Sequence, residues 1–316
     1  GVSGGDDDDL IIKAGDNDGD ATPGGSLTLS GVIGGSQALT TLDINQSAGD
    51  ISFTVPGVGS GGNAGVTGAT RIGNAASGDI IFSGANANAY NFGGALTVTS
   101  NGGAGAFQFT GADPTLTAGG AVTFTEGSGT DDTLVLADLK DLTITTASAN
   151  ANITLPNIDG TAGDGNDGTD LTILAGTGNV SVKSIDTDIN DLRIDGTTIT
   201  LTGSITTAAH NPGSADAASI DINGAAVIGA GITLTSGNGT VDFSGTVDSD
   251  NGENRALTIV SGSGATAING AVGTTDALGN LTINAAGTGA ITLSTVGADA
   301  AAGAAVMAIG NADTAT

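Results

Sequence analysis

The sequence predicts an all-β chain wound as a parallel β-solenoid (β-helix) of roughly twelve coils, with about 24–29 residues in each. Three observations carry this reading. Short apolar and Thr-rich alternations run along the chain, they return at nearly constant offset, and large aromatics are scarce: no Trp, one Tyr and seven Phe in 316 residues. So few rings imply a thin core, because Trp, Tyr and Phe are what normally fill a thick one.

The elements follow in chain order. An acidic N-terminal segment, 1–25, contains the first strand, Leu10-Ile11-Ile12. The body, 26–297, holds Leu27-Thr28-Leu29, Leu96-Thr97-Val98-Thr99, Phe107-Gln108-Phe109, Val122-Thr123-Phe124, Leu142-Thr143-Ile144-Thr145, Ile199-Thr200-Leu201-Thr202 and Ile232-Thr233-Leu234-Thr235. Alternation with period two over three to five residues means strands with one face inward and one outward. Gly49-Asp50-Ile51 with Phe53 returns in the next coil as Gly78-Asp79-Ile80 with Phe82. Leu257, Ile259, Ala267, Val272 and Gly273 return as Leu281, Ile283, Ile291, Val296 and Gly297, each shifted by 24. Ile232, Leu234 and Val247 precede Leu257, Ile259 and Val272 by 25. The stretch 192–231 fits the period poorly.

A unit this small cannot bury its apolar face alone and must stack on copies of itself, with Gly and Asn at corners where positive φ is needed. Antiparallel sandwiches are the competing all-β reading, but they seldom lack Trp and Tyr or repeat so evenly. The C-terminal segment, 298–316, is an Ala-rich coil and tail. Only there, from Ala298 to Ile309, is helix conceivable, and Gly303 weakens it.

Composition excludes whole classes of function. Thirty-three acidic residues against six Lys and Arg give a formal charge of -27, which repels nucleic acid. The absence of Cys removes disulfides, thiolate zinc sites and cysteine nucleophiles. No stretch approaches the roughly 18 apolar residues of a membrane span. Disorder is the other reading of high charge and abundant Gly, but Leu, Ile, Val and Phe exceed the roughly 20% below which chains stay unfolded.

Units such as Gly279-Asn280-Leu281-Thr282-Ile283 followed by Thr288-Gly289-Ala290-Ile291-Thr292-Leu293 resemble the repeats of large secreted bacterial surface proteins of the filamentous-haemagglutinin-like, β-strand-repeat type. The resemblance covers most of the chain and is one of pattern. It implies export and display outside the cell as an adhesin, stalk or fibre. The start at Gly1 reads as a processed product or a segment of something longer.

Three loops alternate side-chain oxygens with Gly in the manner of calcium loops: Asp16, Asp18 and Asp20; Asp164, Asn166 and Asp167; and Asp248, Asp250 and Glu253. Calcium is the cofactor they suggest, against the plainer reading that Asp and Asn are good turn formers. Catalysis is not expected. The one histidine, His210, sits in a loop beside Asn211-Pro212, and the six cations are scattered singly without the aromatics that stack on sugars. Outward Thr sets, Thr198 with Thr200 and Thr202, Thr143 with Thr145, and Thr233 with Thr235, suggest instead a face that binds glycan or ice.

The function expected is thus that of an extracellular structural protein, a fibre subunit or adhesin rod that polymerises head to tail. Asp6, Asp7, Asp8, Asp9, Leu10, Ile11 and Ile12 at one end, and Val306, Met307 and Ile309 at the other, are the assembly residues, since no polar cap is evident beside either strand. A glycan- or ice-binding module is the alternative.

Overall fold

A computed structural model describes residues 9–13, 25–45, 49–54, 57–59, 64–84, 89–100, 106–127, 133–137, 140–161, 168–186, 188–208, 218–285, 289–297 and 304–310. Among them the regular structure is all strand, and the strands pair in parallel. The fold is a parallel β-solenoid. None of the described residues forms a helix long and apolar enough to cross a membrane. The chain divides into two compact units, Gly1–Ile158 and Asp159–Thr316.

Each turn of the first unit visits three faces. Face A carries Ala89–Phe92, Thr115–Ala118 and Leu142–Thr145. Face B carries Asp9–Ile12, Thr41–Ile44, Thr70–Ile72, Leu96–Ser100, Val122–Glu126 and Ile153–Leu155. Face C carries Leu27–Leu29, Ile51–Phe53, Ile80–Phe82, Phe107–Phe109 and Thr133–Leu136. The second unit has the same plan. There Ile189–Leu201 and Ala218–Ile228 run through both A and B, and face C is built from Ile205–Thr206, Ile232–Thr235, Leu257–Gly262, Leu278–Ala285 and Ala304–Ile309.

The solenoid has about nine regular turns, fewer than the roughly twelve expected. Between residues 25 and 68 face A is made by isolated bridges, Ile33 to Val58 and Leu39 to Val66, in place of strands.

The repeats read from sequence are successive rungs. Ile51 pairs with Ile80 and Phe53 with Phe82. Ile232, Leu257 and Leu281 stack in one column and Leu234, Ile259 and Ile283 in the next. Coil length wanders further than expected: the coil from Leu10 to its partner Leu42 is longer than any repeat read from sequence, and the coil from Val180 to its partner Ile199 is shorter. This explains the poor fit of 192–231, where the coil from Ala226 to Val247 is short as well. One register expectation is off by a residue. Ile291 lies beside Thr266, not Ala267, and a bulge after Ile268 restores Val272 to Val296. The Ala-rich end is a strand, Ala304–Ile309, because the edge of Leu278–Ala285 offers it hydrogen bonds and two apolar columns to extend.

The core is the inward residues of all three faces. Ile44, Ile72, Leu96, Val98, Ile194, Ile220 and Ile268 are fully buried. Aromatics are few but gathered: Phe53, Phe82 and Phe109 form a stacked column with centroids 5.2 and 4.7 Å apart, and Tyr90 meets Phe82 edge-on at 5.0 Å. Positive φ occurs at glycines and asparagines as expected, at Gly34, Gly73 and Asn238 for example, but some corner glycines play a different part. Gly224, Gly245 and Gly270 stand one above another without positive φ, and a Cβ on each would lie 2.0 to 2.2 Å from the carbonyl oxygen of the glycine below. Close approach of backbones at the corner between A and B excludes any side chain there. Gly273 and Gly297, by contrast, do use positive φ (64° and 69°), each donating its N–H to the valine of the previous rung.

Candidate functional site

The described ends of the stack are open. The strand Leu27–Leu29 pairs only with Ile51–Phe53, and Ala304–Ile309 only with Leu278–Ala285, so among the described residues each has one unpaired edge. The large apolar side chains exposed among the described residues are Ile11, Val32, Met307 and Ile309. All four belong to these outermost coils. Leu10, Ile12, Leu27 and Leu29 at one end, and Ile291, Leu293 and Val296 at the other, are half-buried, while their partners one rung inward, such as Ile44 and Ile268, are fully covered. Beside Leu27–Leu29 lies a cavity of about 400 Å³ lined by Leu10, Leu29, Val32, Ile33 and Leu39. Residues 25–42 contain no charged side chain, nor do 289–297 or 304–310. In a chain of charge -27 the described face C strands at the two ends are uncharged, while Asp9 and Lys13 stand at the two ends of the first face B strand.

Of the assembly residues expected from sequence, Asp9, Leu10, Ile11, Ile12, Met307 and Ile309 fall on these coils. Asp9 accepts a hydrogen bond from the Thr41 hydroxyl at 2.6 Å. Val306 pairs through its backbone with Asn280. Asp6, Asp7 and Asp8 lie outside the described residues. So do Asp16, Asp18, Asp20, Asp164, Asn166, Asp167 and His210.

The third acidic loop is described, and its oxygens are engaged with the protein. The Asp248 carboxylate, largely buried on face B, accepts the Thr275 N–H at 2.9 Å and so ties down the loop of the following coil. Asp250 meets the Arg255 guanidinium at 3.2 Å and Glu253 meets it at 3.5 Å. A guanidinium between two of the three acids does the neutralising that a cation would do. Among the described residues no group of three or more His, Asp or Glu converges as a metal site.

Sequence reasoning passed over a polar network on face A of the second unit. Arg193 pairs with Asp195 at 2.8 Å; the Asn223 amide donates to Asp195 and Asp221, both at 2.9 Å; and the Asn269 amide donates to Asp242 at 2.8 Å. Asp221 and Asp242 occupy the same position on adjacent strands. Burial, and then the Asp221 charge, push the Asp242 carboxyl above its ordinary value. Asp159 is raised likewise, by burial and then by Asp186 and Asp188. The coil from Asp195 to Asn223 is longer than the coil from Asp221 to Asp242, so no single period reveals the network.

The expected Thr rows are short. Thr233, Thr258 and Thr282 line up on face C, but Thr198 and Thr200 are followed by Ala225 and Val227 on the next strand. Thr143 and Thr145 stand beside Thr115 and Thr117. A further array was legible in the sequence: Thr97 and Thr99 stand beside Thr123 and Thr125 on face B. No protein family, curated protein or solved structure matches the chain.

Proposed function

We propose that this chain is a structural protein that works outside the cell, as the subunit of a fibre or the rod of a bacterial surface adhesin, and that it extends by adding copies of itself end to end. The observation that carries the reading is the character of the outermost coils. Exposed sheet edges are ordinarily guarded by charge, proline or a covering element. Here strand edges and half-exposed apolar columns stand at both ends without one charged side chain on the face C strands, although the chain is strongly acidic elsewhere. On these described face C strands no like charges oppose the approach of a second copy. The resemblance of the coils to filamentous-haemagglutinin-like repeats supports display at the surface. Calcium held by the loops at Asp16–Asp20 and 164–167 belongs to the same reading, as a counterweight to the acidic flanks.

Negative-stain microscopy with sedimentation velocity tests it. Linear polymers that lengthen with protein concentration are expected, and a single species of monomer mass at every concentration overturns the reading. A second reading, a glycan- or ice-binding face, rests on the Thr97/Thr99 and Thr123/Thr125 array; glycan binding or ice shaping lost on replacing these four with Val would favour it.

A further inference from the structure

We infer that the junction between copies is a parallel strand pair with defined register and polarity, in which Met307 and Ile309 of one copy continue the columns begun by Leu27 and Leu29 of the next. This rests on the end-to-end reading above and specifies its partner as a second copy of this chain.

The backbone sets the polarity. In a parallel strand each residue turns its N–H and C=O to one side, and successive residues alternate. The Leu27 N–H donates to the Asp50 carbonyl and the Leu29 carbonyl accepts from the Thr54 N–H, so Leu27 and Leu29 face the following rung. Ser26, Thr28 and Ser30 therefore turn to the open edge. At the other end the Gly310 N–H donates to the Ile283 carbonyl, so Ala308 and Gly310 face the preceding rung and Met307 and Ile309 turn outward along the stack. The two edges are complementary to each other and not to themselves. Bringing them together makes four bonds of the kind found between all rungs: Met307 N–H to Ser26 carbonyl, Thr28 N–H to Met307 carbonyl, Ile309 N–H to Thr28 carbonyl, and Ser30 N–H to Ile309 carbonyl. Such a heterologous contact, repeated from copy to copy, gives a filament wherever its rotation does not close a ring.

The side chains set the register. Leu27 and Leu29 are inward at positions two apart, as are Met307 and Ile309. A slip of one residue would turn every apolar group outward. A slip of two would leave one apolar residue of each strand unmatched and would set the corner after Ile309, at Gly310, out of step with the corner after Leu29, at Ser30-Gly31. In the matched register Met307 and Ile309 also border the cavity lined by Leu10, Val32 and Ile33.

The chain has no Cys, so engineered pairs report directly. Thr28 and Ala308 are exposed and would be neighbours across the junction, about 4.8 Å apart between Cα atoms, within disulfide reach. The full chain carrying Thr28→Cys and Ala308→Cys should form, on mild oxidation, a covalent ladder of dimers, trimers and longer species that reductant dissolves. The pair Ser26→Cys with Ala308→Cys, roughly 8 Å apart, should not. Thr28→Cys alone should give no dimer, and mixed with Ala308→Cys alone it should give dimers only. Filaments without the Thr28/Ala308 ladder overturn the register and leave self-assembly standing. Dimers of Thr28→Cys alone overturn the polarity. Monomers with native β-sheet circular dichroism and no cross-link overturn both the junction and the function it rests on.

Discussion

Thr70 sits in a column between Leu42 and Leu96, fully buried, and its hydroxyl has no hydrogen-bond partner. An unsatisfied buried hydroxyl costs about 1–3 kcal/mol, so Thr70→Val should stabilise the protein by about 1 kcal/mol, read as a rise in melting temperature. Ile283 tests the columns from the other side. Ile283→Asp places a charge between Ile259 and Ile309 and should cost several kcal/mol, whereas Thr282→Asp, pointing outward, should stay within about 0.5 kcal/mol. Equal losses would contradict the register. Asp242 makes stability depend on pH. Its carboxyl is raised above the 3.8 of the unfolded chain, so between 3.8 and the folded value the folded state holds a proton that the unfolded state has released. The resulting stabilisation is complete below 3.8 and disappears as pH rises through the folded value. Asp242→Asn should therefore raise the melting temperature at pH 7 and flatten its fall across that window, keeping the contact with Asn269 through the amide oxygen. A variant that melts lower than the parent at pH 7 would refute this.

At the scale of the element, the strands were legible and the corners were not. Alternations such as Leu257-Thr258-Ile259 announce both strand and facing because the side-chain period is two, and the near-constant sequence offset announces which strand lies next. Coil length hides wherever loops differ. The short coils from Val180 to Ile199 and from Ala226 to Val247 escaped for that reason, and the Asp221–Asp242 pair of the candidate surfaces went unseen with them. The apolar edge strands were visible in the sequence, but the lack of charge on 25–42, 289–297 and 304–310 acquires meaning only once these described segments are known to lie on the outermost coils. The glycine column at the corner of A and B is a packing demand that composition cannot express. It predicts that Gly245→Ala, with Gly224 oxygen 2.2 Å from the new methyl, costs about 1–3 kcal/mol, while Gly231→Ala, which meets nothing within 4 Å, is near neutral in denaturant titration.

For the whole molecule, charge and rings are distributed unevenly, and each has its consequence. With -27 charges on the chain, chelation by EDTA at fixed ionic strength is expected to lower the melting temperature, and sodium at matched strength should not restore it. An unchanged value would make the acidic loops ordinary turns. The rings lie almost wholly in the first unit: Tyr90 and the stacked Phe53, Phe82 and Phe109 belong to it, with Phe92, Phe107 and Phe124, whereas the second contains Phe243 alone. Near-ultraviolet dichroism is therefore a local signal, reporting the tertiary order of residues 1–158 and almost silent for 159–316. Far-ultraviolet dichroism sees every strand. Recorded during one thermal scan, the two spectra separate the melting of one half of the solenoid from the melting of the other without any label, and coincident curves would mark the two as a single cooperative unit.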